Sequence, residues 1–193
     1  ELSFLNSQIN PHFLFNNLNN LYSYAVDQSP KTPEIILGLS GMLRYMLYDC
    51  RESTVPLTME IEHLHNFIQL YELQIEGRGT VEFTTQNIKE DYHISPLILS
   101  VFVENAFKHS QSGQSNQIKI AISITVDSGG KLTFICQNNY HAEDHPQRVV
   151  KNGIGLENVK KRLNLLYPNQ HELGIDQTKE DFFVSLTIKL SKA

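Results

Sequence analysis

The stretch "INPHFLFNNLNNL", residues 9–21, sets His12 directly after a proline, among asparagines and phenylalanines. A neutral imidazole offers a nucleophilic nitrogen near pH 7, so His12 can accept a transferred electrophile without a strong base. Further on, "VENAFKHS" spaces Asn105 and His109 four residues apart, and Glu104 and Lys108 likewise, so each pair shares a helix face. A neutral amide oxygen at Asn105 beside the Lys108 charge suits a metal-bound polyphosphate. The plainer alternative is helix-end solvation with a Glu104–Lys108 surface pair. In "NGIGLENV", Gly153 and Gly155 permit close backbone approach where a helix opens, and its free N–H groups and dipole attract anions. Asn158 stands where a dinucleotide fingerprint needs its third glycine, and no Gly-Lys-Ser/Thr follows as a P-loop requires. Finally, Asn138 and Asn139 end the strand "TFICQNN", either as turn asparagines or as one amide reading a base edge.

These groups need elements to hold them. Residues 2–26 carry apolar residues at helical spacing on two arcs, Leu2, Leu5, Ile9 and Phe13 on one and Leu14, Leu18, Leu21 and Ala25 on the other. The phase changes beside Pro11, which leaves a kinked helix, a helix restarting with Asn10 as cap, or a bundle covering both arcs. Gln8, His12 and Asn19 form a polar stripe between the arcs, with Asn16 one turn beyond His12, so the histidine faces solvent or an approaching domain. A turn at residues 27–33 precedes a helix with Ile36, Leu39, Leu43 and Leu47 in register. A long helix with Ile61, Leu64, Ile68, Tyr71 and Ile75 follows and ends near Gly77. Then the texture becomes strand-like. "TVEFTTQNI" alternates, "SPLILSVFVENAFKHS" is an apolar helix with Pro96 in its first turn, and two alternating runs meet at Ser128-Gly129-Gly130 as a hairpin. Residues 139–152 read as a loop, "GIGLENVKKRLNLLY" as a helix and the remainder as a strand pair. The expectation is an α+β chain: helices over 1–78, then an α/β two-layer sandwich on a mostly antiparallel sheet over 79–193.

With 193 residues, 40% apolar and 19% charged, the composition is that of a globular protein. A net charge of −5 with scattered Lys and Arg gives no basic patch, so no direct nucleic-acid partner is expected. Cys50 and Cys136 lack metal-ligand spacing and read as buried thiols, which suits a reducing compartment. His63 and His65 read as surface residues, and His141 and His145 lie beside Asp144 in the predicted loop. No apolar run spans a membrane, and the chain opens without methionine, as an excised piece with upstream membrane or sensor segments would.

The order of these motifs resembles sensor histidine kinases of two-component systems, in the autolysin-regulator (LytS-like) branch. The resemblance rests on "QINPHFLFNNLN", "VPLTMEIEHLHNFIQLYELQ", "PLILSVFVENAFKHS" and "GIGLENVKKRLNLLYP", and so extends from residue 8 to residue 168. It implies an ATP-binding domain of the gyrase/histidine-kinase (Bergerat) type behind a helical dimerisation region. It also implies autophosphorylation of His12 by ATP, with Asn16 on the same helix, and transfer to an aspartate of a response regulator. Asn105 would hold Mg²⁺, and Glu104, Lys108, His109, Asn138, Gly153, Gly155 and Leu156 would line the nucleotide. The implied protein is a homodimer, the cytoplasmic portion of an inner-membrane sensor, whose regulator carries a LytTR DNA-binding domain.

The chain departs from the family at the nucleotide box, usually Asp-x-Gly-x-Gly, where it has Asn138, Tyr140 and Ala142. A carboxamide oxygen still accepts from an adenine amine, but the lid hinge loses two glycines. This motivates a second hypothesis, a non-catalytic pseudokinase that signals as a dimer with weak nucleotide binding or none. A water-directed ATPase is disfavoured because Val101 stands where such enzymes carry a glutamate, and Phe13 replaces the acid that often follows the phosphoacceptor.

Overall fold

Three amphipathic helices come first, and the core they build continues into a β-sheet. A computed structural model describes residues 11–75, 77–89, 91–110, 117–139, 154–178 and 180–192, with the backbone alone at 11–13 and 154. Helix α1 is Pro11–Val26 and α2 is Thr32–Leu47. A 3-10 turn, Asp49–Arg51, and a two-residue strand β1, Val55–Pro56, lead to α3, Leu57–Gln74. Gly77, at φ 74, follows the end of α3, as the sequence predicts.

The buried side of α2 is Ile35, Leu39, Met42 and Tyr45, while Ile36 and Leu47 are exposed. The stripe therefore lies about a quarter turn from the expected Ile36–Leu39–Leu43–Leu47 register. Packing against α3 decides the rotation, because Tyr45 seats its hydroxyl on the buried Glu60. Along α3, Leu57, Leu64, Phe67, Ile68 and Tyr71 are buried, and so are Glu60 and His63. His63 is therefore not the expected surface residue. It stacks on Tyr45 with ring centroids 4.5 Å apart, whereas His65 is exposed.

The second half forms a five-stranded sheet of order β2-β4-β5-β7-β6, with β2 Gly79–Gln86, β4 Ile118–Val126, β5 Lys131–Asn139, β6 His171–Gln177 and β7 Asp181–Lys189. β2 and β4 run parallel, and the remaining pairs are antiparallel. Alternation sets the buried face: Ile120, Ile122 and Ile124 of β4, Leu132, Phe134 and Cys136 of β5, and Val184, Leu186 and Ile188 of β7. Helices α4, Ser100–Ser110, and α5, Ile154–Leu166, complete the second layer over that face. The β4–β5 hairpin turns as expected, with Asp127 Oδ1 accepting from the N–H groups of Gly129 and Lys131, both at 2.8 Å.

A second small sheet, β1-β3-β8, was too short to leave a periodic signal; β3 is Tyr92–Ile94 and β8 is Ser191–Lys192. It ties Val55 to Ile94 and Tyr92 to Lys192, so α3 starts from a strand of the sandwich. The apolar helix expected from Pro96 begins only at Ser100. Leu97 adopts a left-handed backbone, φ 60, which no right-handed helix accommodates. Both cysteines are buried, as expected, and burial pushes the thiols of Cys50 and Cys136 up to about 12.

Candidate nucleotide site

The sequence at α4 makes a helix with one apolar face, Phe102, Val103, Ala106, Phe107 and Ser110, pressed on the sheet and on α3. Phe107 stacks on Tyr71 at 4.4 Å between centroids, and Phe102 meets Phe134 at 5.8 Å. Fixing that face fixes the opposite stripe, Val101, Asn105 and Lys108, by the 3.6-residue period. Asn105 is half-buried on it and Lys108 is exposed. Glu104 is half-buried towards Tyr71, and its charge, after burial itself, helps raise the tyrosine pKa. His109 lies 6.3 Å from the Phe182 ring.

The opening turn of α5 meets the same stripe. A Cβ built on Gly155 would sit 3.6 Å from Val101 Cγ1, an ordinary contact, so packing alone does not demand glycine there. The α5 N-terminus therefore stands one helical turn from Asn105 along α4. Leu156 is buried in the core.

The two strand-end asparagines separate by role. Asn139 is a strand lock: its Oδ1 accepts from Lys119 N–H at 2.9 Å and its Nδ2 donates to the Gln117 carbonyl at 2.7 Å. Asn138 continues the buried face of Phe134 and Cys136 and is 1% exposed. Its Nδ2 donates to the Asn139 carbonyl at 2.9 Å, while its Oδ1 is buried with no hydrogen-bond partner among the described residues. Such an acceptor costs about 1–3 kcal/mol unless water or a ligand satisfies it, and it shares this state with other buried polar atoms such as His63 Nδ1 and Ser100 Oγ. The residue set therefore fits a nucleotide: an amide acceptor for an exocyclic amine, an amide oxygen for a hard cation, a lysine and a helix N-terminus for phosphates.

The phosphoacceptor candidate lies apart from this set in sequence and on another helix. His12 is in the first turn of α1 as described, its side chain being outside the described atoms, and Asn16 is half-buried one turn on. The neighbouring Asn17 is 2% exposed and accepts from Gln74 Nε2 at 3.3 Å, which ties α1 to the end of α3. Gln8, Gly153, Tyr140, Ala142, His141, Asp144 and His145 lie outside the described residues.

A buried polar cluster behind the site is not flagged by any motif. Glu60 Oε2 accepts from the Tyr45 hydroxyl and from the Leu97 N–H, the latter at 3.0 Å. Burial pushes the Glu60 carboxyl up, while the Tyr45 hydroxyl, the N–H groups of Leu97 and Leu99, and Arg162 pull it back. Arg162 of α5 donates to Ser95 Oγ at 3.2 Å and to the Pro96 carbonyl at 2.8 Å. The Tyr167 hydroxyl accepts from Ser95 N–H at 2.7 Å. One trace of this existed in the sequence: Glu60 shares the apolar phase of Leu57, Leu64 and Phe67, where a solvated carboxylate does not belong.

Helices layered on one side of this mixed sheet, with the asparagine helix and the glycine-led helix meeting at its edge, define the histidine-kinase type of fold. The histidine kinase domain of the Erythrobacter litoralis EL346 blue-light activated kinase superposes with a TM-score of 0.51 at 16% identity, covering 93% of this chain and 96% of that one. The Acinetobacter baumannii histidine kinase AdeS gives 0.50 at 13% identity, covering 92% and 93%. In sequence, residues 1–78 match the family described as Histidine kinase. Sensor protein LytS of Bacillus subtilis (strain 168) is 29% identical over 138 residues, 72% of this chain and 23% of that protein. Sensor histidine kinase/phosphatase LytS of Staphylococcus aureus (strain N315) is 24% identical over 188 residues, 92% of this chain and 32% of that protein. The chain is similar to LytS sensor histidine kinases at 24–29% identity, and it spans about a quarter to a third of the length of those proteins.

Proposed function

We propose that the chain is an ATP-dependent protein-histidine kinase. It autophosphorylates His12 and passes the phosphoryl group to an aspartate of a response regulator. The observation that carries this reading is the orphaned, buried Oδ1 of Asn138 beneath the asparagine helix. Mg²⁺-ATP supplies the electrophilic γ-phosphoryl group when bound. Asn138 would accept from the adenine amine, and Asn105 would offer its amide oxygen to the cation. Lys108, His109, Glu104 and the α5 N-terminus with Gly153 and Gly155 would shape the remainder, while Leu156, expected among them, packs in the core. The neutral imidazole of His12 presents a lone pair, and Asn16, one turn away, orients the ring; no stronger base is required.

The proposed protein is a homodimer acting as the cytoplasmic part of a membrane sensor. Phe15 and Tyr22 are 63% and 71% exposed and share one face of α1 with the exposed Leu18 and Val26, an apolar stripe suited to a second copy. Among the described residues no helix is long and apolar enough to cross a membrane. We keep the boundary between the phosphoacceptor and ATP-binding parts at residue 78: α3 packs chiefly on α2, and β1 and α4 tie it to the second part.

With γ-labelled ATP and Mg²⁺ the chain should acquire acid-labile label that His12→Gln abolishes. Undiminished label on His12→Gln would overturn the assignment. The altered nucleotide box favours a pseudokinase as the second reading. Absence of ATP-binding heat in calorimetry of the wild type would select it.

A further inference from the structure

Glu60 is fully buried, carries no part of the proposed chemistry, and touches elements from both parts of the chain. On one side stands Tyr45 of α2, the helix that packs between α1 and α3. On the other side stands the Ser95–Leu99 turn that launches the Asn105 helix. The carboxylate oxygen holds Leu97 by its N–H at 3.0 Å, in a left-handed conformation that costs a leucine roughly 1–2 kcal/mol. The same turn is gripped from behind by Arg162 and Tyr167, at and just beyond the end of α5. One turn of backbone thus leads into α4, is held by Arg162 and Tyr167 and meets Glu60 of α3, which joins α2 to it through Tyr45.

We infer that Glu60 is a positioning residue: through Tyr45 on one side and the Leu97 N–H on the other, it transmits the orientation of the α1–α2 helices to the helices carrying Asn105 and Gly155. The two bonds have separable consequences. The Leu97 bond sets where α4 starts and hence where Asn105 lies, so its loss reaches nucleotide affinity. The Tyr45 bond sets the angle of α2 against that frame and steadies the carboxyl without replacing its hold on Leu97, so its loss reaches the delivery of His12 and loosens, without displacing, the Leu97 turn. An amide at position 60 retains an oxygen that accepts from both groups, whereas an apolar side chain retains neither. The inference deepens the kinase reading and rests on it for its catalytic readout.

The test uses the whole chain and three variants, with the rate of His12 labelling at saturating ATP, the calorimetric ATP affinity, and amide exchange at Leu97 and Leu99. Tyr45→Phe should lower the labelling rate about tenfold with ATP affinity within about twofold of wild type. Glu60→Leu should lower both, and Glu60→Gln should keep both within about threefold of wild type, the rescue that an accepting oxygen predicts. In Tyr45→Phe, exchange at Leu97 and Leu99 should quicken, because the carboxylate that pins them has lost its other anchor. A structural role alone would lower the melting temperature of Tyr45→Phe while leaving rate, affinity and exchange unchanged below the transition, and that result overturns the inference. Should the wild type take no label, the kinase reading falls. The exchange comparison still decides the coupling, since unchanged Leu97 and Leu99 exchange in Tyr45→Phe overturns it and quickened exchange sustains it.

Discussion

Replacing Asn138 by leucine should move stability and nucleotide binding in opposite directions. In the free chain its Oδ1 is buried without a partner among the described residues, a desolvation cost of about 1–3 kcal/mol. Its Nδ2 donates one bond, to the Asn139 carbonyl, which contributes about 0.5–1.5 kcal/mol and whose acceptor retains the Ser110 hydroxyl at 3.3 Å. Leucine is close in volume and continues the apolar face of Phe134 and Cys136. The difference leaves Asn138→Leu stabilised by up to about 2 kcal/mol, or a rise of about 2–4 °C in melting temperature per kcal/mol for a chain of this size. ATP, meanwhile, loses the acceptor for its amine, worth about 1–1.5 kcal/mol, a weakening of roughly tenfold. Urea denaturation without ligand and calorimetry with ATP measure the two arms. Asn138→Asp, which keeps an acceptor, should preserve binding. A leucine variant that is destabilised by more than about 1 kcal/mol and binds ATP normally would refute the reasoning, since Asn138 would then be a packing residue.

Two further outcomes follow from the buried histidine and the exposed helix face. Burial lowers His63 from 6.5 to about 4, so the unfolded chain binds its proton first as pH falls; stability is full above about 6.5 and is lost progressively down to about 4. The loss amounts to about 3 kcal/mol. His63→Phe, which keeps the stack on Tyr45, should lose that acid sensitivity; comparing urea midpoints of variant and wild type between pH 7 and 5 isolates it from Glu60, whose raised carboxyl contributes with the opposite sign. Tyr22→Glu on the 71% exposed position should weaken self-association more than about tenfold by light scattering and leave the melting temperature of the monomer within about 1 °C.

What was legible in the sequence was whatever repeats. The alternation in β4, β5 and β7 and the 3.6 period in α3 place Ile122, Phe134, Leu186, Leu64 and Ile68 on the right faces because many residues report the same phase. The short strands β1, β3 and β8 carry too few residues to hold a period, and they are what pulls α3 into the sandwich. Among the candidate site residues, Asn105 and Lys108 could be placed on one helix stripe and Gly155 at a helix start from spacing alone. Separating Asn138 from its neighbour could not be done that way. Adjacent strand residues point to opposite faces, and only the sheet pairing reveals that Asn139 spends its amide on Gln117 and Lys119.

The rotation of α2, the burial of His63 and the late start of α4 have a common origin in one carboxylate. The helix period already puts Glu60 in the apolar phase of Leu57, Leu64 and Phe67, where a carboxyl group does not belong; the fold keeps it inward and arranges its neighbours around it. Tyr45 rotates α2 to bring a hydroxyl, His63 follows onto the Tyr45 ring, and Leu97 gives up a helical conformation to bring an N–H. A hydrophobic residue at position 60 would remove all three demands, since apolar packing of a similar volume avoids the desolvation that a buried carboxylate incurs. Stability alone therefore gives no reason for a glutamate here. Holding α2, α4 and α5 in one register does give a reason, because a hydrogen-bonded acceptor specifies direction where an apolar contact specifies only proximity.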